Sequence, residues 1–197
     1  SNPAAHRNAL IRAEAERLQR TPPAGPVIVA GSTGSIPATA ELLSVIARLP
    51  NGAIVLPGLD QGLDDAAWNA VGRTGEDPSV YGHPQYQLRK LIAHLRVLRG
   101  DVEPIADAPA HRTLRLAALS EALRPADTTD AWAEHRSAYS QSDLDAAFAG
   151  VTLLDAPTER DEALAIAIAL RQAIEEPGQT AALVTGDRIL ARRVSAE

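Results

Sequence analysis

The sequence predicts an α/β chain built from two βαβ-type parallel-sheet units joined by a helical insert. Three observations carry that expectation. Residues 27–56 read strand, turn, helix, turn, strand. Residues 151–185 repeat the order with a longer helix. The 45% hydrophobic content comes mainly from Ala, Leu, Val and Ile, with only 3% aromatic. Alanine and leucine lose little side-chain freedom in a helix, so helix should dominate.

Residues 4–20 place Ile11, Ala15 and Leu18 on one stripe at helical spacing, with Leu10 beside it. Thr21–Pro26, with three prolines and Gly25, ends that helix. Val27–Ala30 is a short apolar run of the kind found in strands covered on both faces. Gly31–Ser35 reads as a turn. A helix over 38–49 follows, with Leu42, Leu43, Ile46 and Leu49 inward and Pro37 in its first turn. Asn51-Gly52 then turns into a second buried strand, Ala53–Leu56. A strand–helix–strand of this length implies a right-handed parallel crossover.

Periodicity fails from Pro57 to about Tyr81, where Gly58, Gly62, Gly72 and Gly75 mark a long loop, with a short helix near Asp64–Val71. Helices are expected at 84–98, 111–123 and 143–148, with Trp132 opening a further apolar face. Val151–Asp155 reads as a third strand and 158–176 as a long helix with Leu164, Ile168, Leu170 and Ile174 inward. Thr158 followed by Asp161 has the spacing of a capping box. Thr180–Thr185 reads as a fourth strand, and 188–196 as a helix that the chain end cuts short. The second βαβ unit is therefore expected to be truncated.

A net charge of −6 and no cysteine narrow the chemistry. The charge lacks the basic footprint of an autonomous nucleic-acid binder. Without thiols there is no disulfide framework, zinc–thiolate site or iron–sulfur ligation. No apolar run reaches the roughly 20 residues that span a bilayer and no signal peptide is visible, so the expectation is a cytoplasmic protein without a membrane segment. The chain has no methionine, and Ser1-Asn2 reads as the remnant of a cleaved tag, which suggests excision from a longer protein.

Gly31, Ser32, Thr33, Gly34 and Ser35 resemble a phosphate-binding loop at first sight. A nucleotide P-loop needs a lysine directly after its second glycine, to reach the β- and γ-phosphates. The only lysine is Lys90, far from either glycine. Gly31-x-x-Gly34 also falls short of the dinucleotide fingerprint. Two readings remain: backbone amides at a helix N-terminus that hold an anion, or a tight β–α turn with Ser35 or Thr33 as helix cap. The five histidines, His6, His83, His94, His111 and His135, show no metal-ligand spacing. Asp60, Asp64 and Asp65 suit loop solvation and helix capping better than a metal. No metal site or cofactor is expected. Two basic sets, Arg89, Lys90, Arg96 and Arg99, and Arg188, Arg192 and Arg193, have the character of DNA-phosphate contacts. As cations near helix C-termini they would equally offset the helix dipole.

The linear text is more specific than these sites. Val27–Thr39, His83–Tyr86 with Leu88, Ser120–Trp132 and Ala181–Val194 resemble segments of the alphaproteobacterial AddB family of double-strand-break repair proteins. The resemblance spans most of residues 27–197. It implies an internal piece of a longer subunit that pairs with an AddA-type helicase/nuclease and processes DNA ends. On the superfamily-1 helicase pattern, 1–60 would end a first RecA-like domain and 61–149 would be a loop and helical insert. Residues 150–197 would open a second RecA-like domain. The family's nuclease motif and cluster cysteines have no counterpart, so no catalytic residue is expected here. The competing expectation is a small-molecule or phosphate-ligand-binding α/β domain using the Gly31–Ser35 turn; a third is a domain that only contacts a partner.

Overall fold

The computed structural model describes residues 2–73 and 78–197, and the chain divides into two compact units, Ser1–Ala149 and Gly150–Glu197. Ser1 and Gly75, both used above, lie outside the described residues.

Helix α1 (Pro3–Arg20) is capped by Asn2, whose side chain accepts the Ala4 N–H at 3.0 Å. Strand β1 (Val27–Ala30), helix α2 (Pro37–Ile46) and strand β2 (Gly52–Val55) follow. The two strands pair in parallel, with Val27 opposite Gly52 and Ala30 opposite Val55. The strand–helix–strand unit read at 27–56 is therefore present. Ala15 and Leu18 of α1 meet Val45 and Ile46 of α2 in a buried cluster, and Val27, Val29 and Ile54 close it from one face of the sheet. A Cβ on Gly52 would overlap the Ile46 carbonyl, which is why the strand can start so close beneath α2.

The other face of this sheet is open. Ile28 is 63% exposed and Ala30 and Ala53 are exposed, against the expectation of strands covered on both sides. Two strands have only one helical layer to pack against here, so alternate side chains stay in solvent.

Beyond the sheet, the first unit is helical. Helix α3 (Asp65–Val71) is capped by Asp64 and supplies the buried Ala67 and Val71, which join Leu63 in a second core cluster. Helix α4 (Tyr86–Leu95) buries Leu88, Leu91 and Ile92. Helix α5 (Ala110–Ala122) leads through a 3₁₀ segment, Ala126–Ala131, into α6 (Trp132–Ser137), and α7 (Gln141–Ala147) packs on α5. Arg115 of α5 fixes that packing by donating to the Ala147 and Ala149 carbonyls.

The second unit overturns the predicted fold class. It contains α8 (Glu159–Glu175) and α9 (Arg188–Val194), which pack on each other, but no strand. Residues 151–155 and 180–185 are irregular, with Leu153 and Val184 each 94% exposed. The chain is thus mostly helical, with one two-stranded sheet among the described residues, and is not a pair of βαβ units of RecA-like character. The reason is physical. A strand is stabilised by its hydrogen-bonded neighbour and by cross-strand side-chain pairs, and neither run has one. The Thr158 cap does form: its hydroxyl accepts the Asp161 N–H at 3.2 Å and donates to the Asp161 carboxylate at 2.7 Å. Among the described residues no helix is long and apolar enough to cross a membrane.

Candidate functional site

The Gly31–Ser35 turn leaves β1 through Gly31, whose N–H donates to the Val55 carbonyl at 3.1 Å and extends the parallel ladder by one bond. Gly31 has φ +77° and open space around it, so backbone conformation alone explains it. Gly34 is different. Its φ is +62°, and a Cβ there would sit 2.7 Å from Leu91 Cδ1 and 3.5 Å from Leu43 Cδ1. The turn is pressed onto the leucines of α4 and α2. Ser32 Oγ accepts the Gly34 N–H at 3.3 Å, holding the loop on itself.

Neither Thr33 nor Ser35 caps α2, contrary to the sequence reading. The cap position is Ile36, without a side-chain hydrogen bond, and Pro37 opens the helix. Proline removes one N–H that would otherwise need a partner. The Ala40 N–H is already bonded to the Ile36 carbonyl. Where a P-loop brings a lysine to the phosphates, this turn meets a leucine. Lys90, next to Leu91 on α4, is exposed.

The basic residues fall into distinct environments. Arg89 lies over the Trp68 ring at 5.2 Å, donates to the Trp68 carbonyl, and fills the space left by Gly72. Burial, then repulsion from Arg99, lowers its pKa. Arg99 covers Trp68 at 4.7 Å and donates to the Leu63 carbonyl at 2.6 Å. Both guanidiniums hold α3 in place, as stacked arginines can. Arg96 is exposed at the C-cap of α4, in the left-handed conformation with φ 60°. In the second unit Arg193 pairs with Glu159, tying α9 to α8. Arg188 and Arg192 are exposed. Arg192 and Arg193 stand in the last turn of α9, where cations offset the dipole, but Arg188 opens the helix, where a cation does not.

The most developed polar constellation escaped the sequence reading. Arg124, with its side chain 1% exposed, grips Glu121 through two bonds of 2.8 and 3.0 Å and Asp64 through one of 2.7 Å. Hydrogen bonding to Glu121, ahead of the contribution from Asp64, raises the Arg124 pKa further. Asp64 also accepts the Ala67 N–H at 2.8 Å; that bond, then the one from Arg124, holds its carboxyl below the ordinary aspartate value. At the same end of α5, His83 Nε2 bonds the Leu123 carbonyl at 2.8 Å, and Trp132 Nε1 donates to the Glu121 carbonyl at 2.8 Å. Glu121 and Arg124 are three apart on the sequence, a visible helical pair. Asp64 lies 60 residues away, and nothing in the text links it to them.

This cluster is a structural clamp: both carboxylates are satisfied by the guanidinium, and the arrangement joins the start of α3 to the end of α5. Asp60 likewise organises its own loop, accepting the Gly62 and Leu63 N–H groups at 2.9 and 3.0 Å. Among the described residues no group of three or more His, Asp or Glu is placed to hold a metal ion. The structure brings the five turn residues together at the carboxyl end of β1. It divides the basic set, with Arg89 and Lys90 in one unit and Arg188, Arg192 and Arg193 in the other. No family model, curated protein or solved structure matches the chain.

Proposed function

We propose that the chain is a non-catalytic segment of an AddB-type subunit, belonging to a cytoplasmic helicase–nuclease that processes DNA double-strand breaks. Its role there is that of a scaffold lying against DNA and an AddA-type partner. The observation that carries this reading is the family-like text itself, which recurs in both units at 27–39, 83–88, 120–132 and 181–194. The DNA-contact part draws on Arg188 and Arg192, exposed on α9, with Arg188 at the end of the helix where it gives no dipole benefit. The Gly34–Leu91 packing favours a structural turn over the competing phosphate-ligand reading.

Two measurements test it. In the first, single- and double-stranded DNA are titrated onto the chain at falling salt concentration. Binding that strengthens as salt falls and weakens in Arg188→Ala/Arg192→Ala is expected. Absence of binding at low salt, with no loss in the full complex carrying the same pair, removes the DNA contact. In the second, the chain is co-expressed with an AddA-type subunit. Failure to co-purify, in the chain and in the longer protein that contains it, removes the family assignment.

A further inference from the structure

Asn51-Gly52 is a turn signal, and it is also a chemically reactive pair. Of the four asparagines in the chain, only Asn51 precedes a glycine. A glycine has no side chain to shield its amide nitrogen, which can then attack the preceding asparagine side chain. The structure ties down every group that this attack needs. The Gly52 N–H donates to the Leu49 carbonyl at 3.1 Å and closes the turn from α2 into β2. Asn51 Nδ2 donates to the Ala24 carbonyl at 3.0 Å, which holds the side-chain amide on the loop before β1. The Asn51 carbonyl accepts the Val27 N–H at 2.9 Å, the first bond across the two strands. Asn51 is exposed, so water reaches it, and hydrogen bonding rather than burial is what restrains it.

The fold needs both members of the pair. A Cβ on Gly52 would overlap the Ile46 carbonyl and sit 3.0 Å from Leu49 Cβ, so packing fixes the glycine. Asn51 is the side chain that ties the start of β2 to the approach to β1, 27 residues earlier.

We infer that Asn51-Gly52 is a masked deamidation site: the closed β1–β2 junction keeps it unreactive, opening releases it, and the product closes the junction less well. In the open form the Gly52 amide nitrogen gives up its proton to solvent base and bonds to Asn51 Cγ. The Cγ–Nδ2 bond breaks, and ammonia leaves with a proton from water. Water then opens the cyclic imide at one carbonyl or the other, leaving aspartate or isoaspartate. Either product sets a carboxylate oxygen where Nδ2 donated to the Ala24 carbonyl. The isoaspartyl form also routes the main chain through the side-chain methylene, and the carbonyl that met the Val27 N–H becomes part of a free carboxylate. The Val27–Gly52 register then lacks its first bond. Each opening thus favours the next, in one direction. The inference rests on residues 24–55 alone and is independent of the family proposal.

The test incubates the full chain at mildly alkaline pH, in native buffer and in guanidinium chloride. Fragment mass spectra read the gain of one mass unit at Asn51, and isoaspartate-specific methylation reads the rearranged product. Conversion should be at least about ten-fold slower in the native chain, because only the opened fraction reacts. Ile54→Ala, which loosens the packing of β2 on α1 and α2, should speed native conversion several-fold and leave the rate in guanidinium unchanged. If that variant does not fold, the parent chain in the two buffers decides alone. Asn51→Asp, which carries one product's side chain, should unfold at lower denaturant concentration than the parent, read by tryptophan fluorescence. Equal rates in the two buffers overturn the inference. So does a lack of conversion in guanidinium, or an Asn51→Asp chain as stable as the parent.

Discussion

The two units use similar residues to different effect. In the first, Leu43, Leu63, Leu91 and Val71 are fully buried, and an arginine is closed over two carboxylates. In the second, the buried apolar residues are Ala163 and Val194, while Leu153, Val184 and Ile189 face solvent. Val27–Ala30 and Val151–Asp155 are both short apolar runs, yet only the first is a strand. The first has β2 alongside, α2 as crossover and α1 beneath; the second has no neighbour strand. Apolar composition is therefore a request for a partner, and the tertiary structure decides whether it is met.

The widest gap between the units should appear in their ion pairs. Arg124→Ala strips a closed guanidinium from Asp64 and Glu121 and should cost about 3 kcal/mol, the scale for removing one partner of a buried pair. Arg171→Ala, which breaks the exposed Arg171–Glu175 pair on α8, should cost less than about 0.5 kcal/mol. Both tryptophans lie in the first unit, so in urea unfolding tryptophan fluorescence reads the Arg124 variant, while far-ultraviolet circular dichroism reads the Arg171 variant. Comparable losses for the two variants would erase the distinction.

Leucine truncation sharpens the comparison at a similar amplitude. Leu91→Ala should destabilise the first unit by about 3 kcal/mol, through lost burial plus the cavity left against Gly34 and α2. Leu153→Ser in the second unit should change thermal stability by no more than about 0.5 kcal/mol, as exposed substitutions do. A large loss at Leu153 would mean that the run is covered in solution.

The glycines give a finer contrast. Gly34→Ala combines a left-handed φ with a clash on Leu91 and should cost about 2 kcal/mol. Gly178 has φ +82° but open space, so Gly178→Ala should cost about 1 kcal/mol. Thermal unfolding of the two variants checks the order. Equal effects would show that Leu91 yields freely and that only the backbone matters.

The smallest expected effect is a pH dependence. The folded state depresses the Asp64 pKa below its unfolded value, so its contribution is fully present above the ordinary aspartate value. It is lost as pH falls through the depressed one. Fluorescence-monitored stability of the first unit should therefore decline below about pH 4, the ordinary aspartate range. Asp64→Asn should flatten part of that decline. An unchanged slope would mean that other carboxylates carry the acid sensitivity.

Much of the local structure was legible in the text. The helix at 3–20, the strand–helix–strand at 27–55, the short helix after Asp64 and the Thr158 cap all follow from periodicity, proline placement and capping chemistry, which act over a few residues. The absence of a P-loop lysine was equally plain. The Arg124 clamp was not, because Asp64 reaches it from 60 residues away and no local pattern marks that contact. Nor was the inward turn of Arg89, which depends on Trp68 and Gly72 standing opposite it.

Sequence alone determined where most helices lie, which residues are apolar enough to seek burial, and that Gly31 and Gly34 lie in a turn. Only the tertiary structure decided which apolar runs become strands, which arginines face inward, and that Gly34 serves Leu91. Helices satisfy their backbone hydrogen bonds within one segment, so their signals are local. Strand pairing, buried ion pairs and close glycine contacts need groups from distant parts of the chain, and the fold alone brings those together.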